Sequence, residues 1–455
     1  MQLLGKQVTV IGMAKSGLAA AEFLAAHGSK VLVSDAKSAE KLSKEIDFLS
    51  SRNIAVETGG NSDKAVLDTD LIVVSPGVPL DIVPLTRARN AGKKIIGEIE
   101  LAAMFLKGKI VGITGSNGKT TTTSLTGKVL KDSGFYTQVG GNIGTPLISL
   151  VDSSREDGVT VVELSSFQLE ATEKLRLKVA ALLNITPNHL DRYASFSDYA
   201  EAKRRLFLNQ QENDFAVLNF EDRLVSSMAD STPAEKLFFS TKRELPVGIF
   251  LCGDEIVYRN SNATEQVLLN PSKDVRLRGA HNLENVMVAL AVGVALNASF
   301  EAMRKSVSEF QGIEHRLESV AEVNGVDFVN DSKATSVDAA IKALEAFPGN
   351  LVLILGGKDK GSDYLPLRSL IAEKVKHLVL IGAASDKIQA ALSGICPIHR
   401  VGTMGDAVGK GFGVAVKGDT VLLAPACSSY DMFDNFEQRG QVFKSEVANL
   451  KAKHQ

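Results

Sequence analysis

Tryptophan is absent from this 455-residue chain and cysteine nearly so, with only Cys252, Cys396 and Cys427 scattered along it. Three single thiols at such spacings form neither a disulfide framework nor a Cys-x-x-Cys metal pair, and the expected compartment is a reducing cytoplasm. An excess of charge is also missing. Lys plus Arg number 51 against 53 Asp plus Glu, a formal net charge of -2. That balance argues against a globally basic surface for gripping nucleic acid, while leaving room for a local patch that binds a phosphorylated small molecule. Long hydrophobic runs are lacking too. The longest strongly apolar run, Val286 to Leu296, has eleven residues, against the roughly 18 to 20 that a membrane span requires. The N-terminal MQLLGKQVTVIG carries one Lys and turns straight into a Gly-rich loop, so it reads as a first strand rather than a signal peptide.

What is present is a globular composition, 44% apolar and 23% charged, with a length that predicts about three domains. Short β-branched runs alternate with helical patterns almost from end to end, the signature of parallel sheets flanked by helices in an α/β protein. VTVIG, KVLVSD, DLIVVSPG and KKIIGE read as strands of a first, Rossmann-like block, residues 1–107. A second block, 108–297, opens with KIVGITG and continues with VTVVELSS and VAALLNIT; it closes with a helix from Asn282 to Asn297 whose apolar residues crowd almost all round. FVNDS, LVLILGG, HLVLIG and TVLLAP then give a third Rossmann-like block, 298–455.

Two glycine-rich loops suggest anion binding. Gly12-Met13-Ala14-Lys15-Ser16-Gly17 follows the first strand, and Asp35 ends the next. Ala14 replaces the glycine that lets a pyrophosphate approach the backbone closely, which weakens an NAD reading but leaves a nucleotide or sugar phosphate. Gly115-Ser116-Asn117-Gly118-Lys119-Thr120, between an apolar strand and a helix, is a variant P-loop with Ile113 where the strict pattern has its first Gly. Its backbone N–H groups would cradle phosphates, Lys119 would reach the β and γ phosphates, and the Thr120 hydroxyl would ligate Mg2+. A P-loop metal needs a carboxylate, and Glu163 ends the strand VTVVELSS. His189 follows the next strand, as a second metal ligand, a phosphate contact or, as a lone His usually is, a structural residue. On an expected helix from Ser197 to Gln210, Lys203 falls within the apolar stripe of Tyr199, Ala202, Leu206 and Phe207. An inward ammonium needs a partner or a changed charge state, unless its stem snorkels to the surface.

The third block carries polar clusters after its strands: His315-Arg316, Asn330 to Thr335, Gly356 to Lys360, and Ala424 to Ser429 followed by a last polar loop, Asp434 to Gly440. Cys427 has no visible base and reads as a small buried residue rather than a nucleophile.

Taken in order, TGSNGKTT, VGGNIG, ELSSFQLE, NITPNHLDRY, the AEAK around Lys203, GAHNLEN, EHRLE, NDSKATS, LGGKDKG and APACSSYDMFDNFEQRG resemble the motif set of the muramyl ligase family over essentially the whole chain. The resemblance implies three domains, which bind the UDP end of a substrate, ATP and an amino acid in turn. It implies ATP-dependent amide formation between UDP-N-acetylmuramoyl-L-alanine and D-glutamate through an acyl phosphate, with two Mg2+ ions held by Thr120, Glu163, His189 and Lys203, the last as its CO2 carbamate. Catalytic roles fall to Lys119, Glu163, His189 and Lys203. Gly115 to Thr121 (Gly115, Ser116, Asn117, Gly118, Lys119, Thr120 and Thr121), Asn285, Arg316 and Asp331 fall to ATP. Lys15, Ser16 and Asp35 fall to uracil; Ser75, Gly141 and Asn142 to the diphosphate and sugar; Lys333, Thr335, Lys360, Ser429 and Phe436 to D-glutamate. No nucleic acid, membrane or second subunit is expected. The rivals are a sister ligase with another amino acid or a folate acceptor, an NAD-dependent oxidoreductase fused to a nucleotide switch, and a regulatory P-loop protein. Ala14 and the lack of a hydride-transfer centre speak against the second, and the polar loops outside the P-loop block against the third.

Overall fold

β-Branched and aliphatic runs pack on both faces of a parallel sheet, and the chain uses them to build three sheets. The computed structural model describes residues 3–187, 192–277 and 279–454. The first sheet contains β1 (Gln7–Ile11), β2 (Lys30–Asp35), β3 (Ala55–Thr58), β4 (Leu71–Val74) and β5 (Lys94–Gly97), in the order β3-β2-β1-β4-β5 and all parallel. Strand order reverses beside β1, so the crevice for a ligand opens at the carboxyl ends of β1 and β4. Ile11 pairs with Val74 there, which brings Gly12 and Ser75 together.

The second sheet has nine strands: β6 (Lys109–Thr114), β7 (Thr137–Gly141), β8 (Val159–Glu163), β9 (Val179–Leu182), β10 (Phe215–Asn219), β11 (Glu235–Ser240), β12 (Gly248–Cys252), β13 (Glu255–Arg259) and β14 (Glu265–Leu269). Their order is β14-β13-β12-β11-β10-β9-β6-β8-β7, parallel from β7 to β12 and antiparallel across β12-β13-β14. The helix Ala280–Ala295 buries every residue from Val286 to Val292 and packs on the helix Lys119–Asp132.

The third sheet contains β15 (Glu318–Val323), β16 (Val326–Asn330), β17 (Leu351–Gly356), β18 (Val375–Ile381), β19 (Ile398–Arg400) and β20 (Thr420–Leu423), in the order β15-β16-β20-β17-β18-β19. Only its β15-β16 pair is antiparallel.

Compact packing divides the chain into 1–310 and 311–455. The third block was expected from 298, but the helix Phe300–Glu309 packs on Lys119–Asp132, with Ser306 Oγ 2.8 Å from Asp132 and Lys128 3.0 Å from Glu309. Two further expectations are corrected. The helix through Lys203 runs only from Phe196 to Arg204, followed by a 3-10 turn over Arg205–Phe207; the stripe Tyr199, Ala202, Lys203, Leu206 and Phe207 is nevertheless buried. The polar stretch Asp434 to Gly440 is not a loop throughout, because Phe436 begins the helix Phe436–His454.

Candidate active site

At the end of β6 the chain turns through Gly115 to Gly118 into the helix Lys119–Asp132. Gly118 stands at φ 84°, and a Cβ there would lie 2.3 Å from Asn285 Oδ1, so both backbone and space demand glycine. Asn285 Oδ1 also accepts from Thr122 Oγ1 at 3.0 Å, which fixes the expected Asn285 beside the loop. No side chain among the described residues caps the helix start, and a helix N-terminus of this kind, where Thr120 and Thr121 lie half-buried, favours an anion. Lys119 Nζ donates to Gly115 O at 2.9 Å and Ser116 O at 3.0 Å. The far wall is fixed by Ser116 Oγ, 3.0 Å from Thr186 O and from the Tyr199 hydroxyl, and by Asn117 N donating to Asn184 Oδ1 at 2.9 Å.

Glu163 ends β8, which neighbours β6, and is 1% exposed. Its Oε1 accepts from Asn142 Nδ2 at 2.8 Å, while its Oε2 is buried with no hydrogen-bond partner among the described residues. A buried carboxylate oxygen left orphaned beside a phosphate loop has the chemistry of a Mg2+ ligand. The expected Gly141 lies against it too: a Cβ there, at φ 100°, would meet Glu163 O at 2.4 Å. Lys203 points inward as the stripe predicted, 1% exposed, with Nζ donating to Gly115 O at 2.9 Å and Thr114 Oγ1 at 3.3 Å, 4.8 Å above the Tyr199 ring. Burial, reinforced by the Lys119 charge and opposed by Glu163, pushes its ammonium down to about 7. His189 lies outside the described residues. Among the described residues no three His, Cys, Asp or Glu side chains gather as a ready-made metal cage.

In the first sheet, Asp35 accepts from Met13 N at 2.8 Å and Lys37 N at 2.9 Å, bracing the Gly12 loop. Ser75 is buried and donates to Gly12 O at 3.0 Å; Ser16 is half-buried in the first turn of the helix Lys15–Ala26. Exposed Lys15 reaches the second sheet's loop, with Nζ 2.5 Å from Gly144 O. The loop from Gly141 to Gly144 thus touches residues expected at the uracil and the metal alike.

In 311–455 the expected residues follow β16, β17 and β20, apart from Arg316, which precedes β15. Asp331 Oδ1 accepts from Leu317 N at 3.2 Å, and burial lifts its carboxyl to about 6 against the pull of Arg316 and Lys333. Arg316 is exposed between His315 at φ 64° and Leu317 at φ 45°, a strained turn held by packing: His315 is buried over Gly440 and edge-on to Phe436. Lys333 is exposed, Thr335 and Phe436 are half-buried, and Ser429 is buried. Exposed Lys360 donates to Thr335 O at 3.4 Å. Cys427 is 1% exposed, and burial raises its thiol pKa, as suits a packed residue.

Sequence reasoning gave Arg439 no role. It is 1% exposed, and its guanidinium donates to Ser332 Oγ at 2.9 Å, Ser332 O at 2.8 Å and Cys427 O at 3.1 Å, tying two of the polar loops to the C-terminal helix. Its signal was an Arg one turn after Phe436, legible only once that stretch is known to be helical.

A phosphate loop at the end of a strand flanked by parallel neighbours, with a buried carboxylate and an inward lysine around it, defines an enzyme that uses a nucleoside triphosphate. Comparison with known proteins is more specific. Residues 6–97 match the MurD-like N-terminal domain of Mur ligases, 113–293 the Mur ligase middle domain, and 315–427 the Mur ligase glutamate ligase domain. The chain is 53% identical over 449 residues to the UDP-N-acetylmuramoylalanine--D-glutamate ligase of Acidobacterium capsulatum, covering 98% of this chain and 97% of the relative. It is 50% identical to the protein of that name from Koribacter versatilis, covering 99% of each. Its fold resembles UDP-N-acetylmuramate-alanine ligase MurC from Thermotoga maritima, with a TM-score of 0.56 and 19% identity over 98% of this chain and all of that one. The chain belongs to the Mur ligase family.

Proposed function

We propose that this chain joins D-glutamate to UDP-N-acetylmuramoyl-L-alanine at the expense of ATP, in the cytoplasmic synthesis of peptidoglycan precursors. The observation that carries the phosphoryl chemistry is the meeting of Lys119 and Lys203 on the Gly115 carbonyl, with the Glu163 carboxylate near enough to act on the Lys203 charge; the acceptor is drawn from the full-length relatives. No helix among the described residues is long and apolar enough to cross a membrane, in keeping with a cytoplasmic enzyme, and a monomer is the expected state.

A carboxylate is a poor acyl donor, so the alanyl carboxylate first takes the γ phosphoryl group of ATP, breaking the β–γ bond and releasing ADP. The D-glutamate amine then attacks the resulting acyl phosphate, and inorganic phosphate leaves. Helix N–H groups and Lys119 hold the phosphates where charge develops. Thr120 and Glu163 would hold Mg2+, joined by His189 and by Lys203 as a carbamate; bound there, the ion offsets charge on the transferred group. Lys15, Ser16, Asp35 and Ser75 line the UDP end, with Gly141 and Asn142 beyond them. Asn285, Arg316 and Asp331 serve ATP, and Lys333, Thr335, Lys360, Ser429 and Phe436 receive D-glutamate, whose carboxylates need cations and hydroxyls. Three blocks, near 1–107, 108–310 and 311–455, divide these tasks.

An amino-acid screen tests the proposal. Phosphate release should require UDP-N-acetylmuramoyl-L-alanine, ATP, Mg2+ and D-glutamate together. Equal turnover with L-glutamate, or with no amino acid, would sink it, and preference for another amino acid would make the chain a sister ligase.

A further inference from the structure

Lys360 meets Thr335, and what holds it there is the residue before it. Asp359 Oδ1 accepts from the Tyr364 hydroxyl at 2.9 Å and Ser362 N at 3.1 Å, Oδ2 accepts from Lys387 Nζ at 2.8 Å, and Gly361 N–H adds a backbone bond. These partners come from different places. Tyr364 is 1% exposed, and its hydroxyl also lies 3.0 Å from Cys427 Sγ, so it rises from the core like a post. Lys387 comes from the helix Ser385–Leu392, with its ammonium 5.7 Å over the Tyr364 ring. Along the other side, Lys358 and Ser428 exchange backbone bonds of 2.8 and 3.2 Å, which zips the Asp359 turn to the segment ending in Ser429. A single carboxylate therefore ties the turn that presents Lys360 to a core tyrosine and a separate helix, while backbone bonds tie the same turn to the loop after β20.

Charge gives a second argument. A free carboxylate next to a pocket for a dicarboxylate would repel the substrate. Here Lys387, then Tyr364 and the two turn N–H groups, hold the Asp359 carboxyl at about 2, and Lys387 neutralises it.

We propose that Asp359, through Lys387 and Tyr364, is a positioning residue for D-glutamate: it fixes the Gly356–Gly361 turn so that Lys360 faces a substrate carboxylate, while Lys387 screens Asp359's own charge. The proposal rests on the D-glutamate reading of this pocket. Misplacement of a binding group by a fraction of an ångström is felt in the step that uses it.

The test is steady-state kinetics of the full chain with each substrate varied in turn. Asp359→Asn and Lys387→Met should each raise KM for D-glutamate about tenfold, with KM for ATP and the nucleotide substrate within about twofold of wild type. The double variant should be no worse than the poorer single one, and Lys387→Arg, which keeps the cation, should stay near wild type. Thermal melting accompanies each assay. Should Asp359→Asn fail to fold, Tyr364→Phe, which removes only a hydroxyl, carries the test with an expected KM rise of about threefold. Unchanged KM for D-glutamate, or an equal rise for ATP, overturns the positioning role. Wild-type turnover indifferent to D-glutamate overturns the functional reading beneath it.

Discussion

Lys203 carries two consequences of its burial. Its folded pKa of about 7 lies below the usual 10.5, so between those values the unfolded chain binds the proton that the folded one releases. The cost of burying the charge is therefore full below about pH 7 and fades as pH rises towards 10.5. Lys203→Met should accordingly be more stable than wild type at pH 6, with the gap narrowing at pH 9. A midpoint difference that does not change with pH would show that Lys203 is neutralised in some other way. The same neutral amine is what CO2 requires. At fixed dissolved CO2, turnover should rise between pH 6 and 8, and Lys203→Ala should lose about 10²- to 10³-fold, part of it restored by short-chain carboxylates that replace the carbamate. If bicarbonate depletion and Lys203→Ala both leave the rate unchanged, the carbamate is excluded.

At the scale of elements, the phosphate loop shows how far local pattern reaches. Glycines, Lys119 and flanking strand and helix were legible in the residues because each answers to nearby backbone geometry. Gly118 states this most sharply: φ 84°, and Asn285 Oδ1 only 2.3 Å from where a Cβ would stand, leave no room for alanine. Gly118→Ala should raise KM for ATP more than tenfold and cost about 1 to 2 kcal/mol of stability; tight nucleotide binding in an isothermal titration of that variant would refute the cradle. Elements made by distant partners were less legible. The β12-β13-β14 edge breaks the parallel pattern expected of the second sheet, although Gly253-Asp254, with Gly253 at φ 56°, is a hairpin signal in the sequence. The Lys203 stripe was read correctly, but its helix ended early at Arg204. Arg439 and Asp359 stood out in the sequence only as members of polar clusters, since their roles lie in partners that the fold delivers.

For the whole of 1–310, the question is what makes two sheets one unit. Two buried carboxylates in the first turn of the helix Glu98–Ala103, at the join between the sheets, reach across it. Glu100 accepts backbone N–H bonds from Glu173, Lys174 and Leu175 at 2.9, 2.9 and 3.1 Å. Glu98 accepts from Ile148 N at 2.7 Å, but its Oε2 is buried without a hydrogen-bond partner among the described residues, and burial lifts its carboxyl to about 7. The two should behave oppositely on substitution. Glu100→Ala strands three backbone N–H groups, of which that of Leu175 is buried, and should destabilise 1–310 by about 2 to 3 kcal/mol, splitting its calorimetric unfolding into two steps. Glu98 is raised above its unfolded 4.5, so its contribution is intact below that value and is lost as pH rises through about 7, a cost of up to about 3 kcal/mol at pH 8. Glu98→Gln keeps the acceptor for Ile148 and sheds the charge. Its melting midpoint should change less than wild type's between pH 5 and pH 8, and an equal slope in the two proteins would mean that Glu98 does not hold its proton across that join.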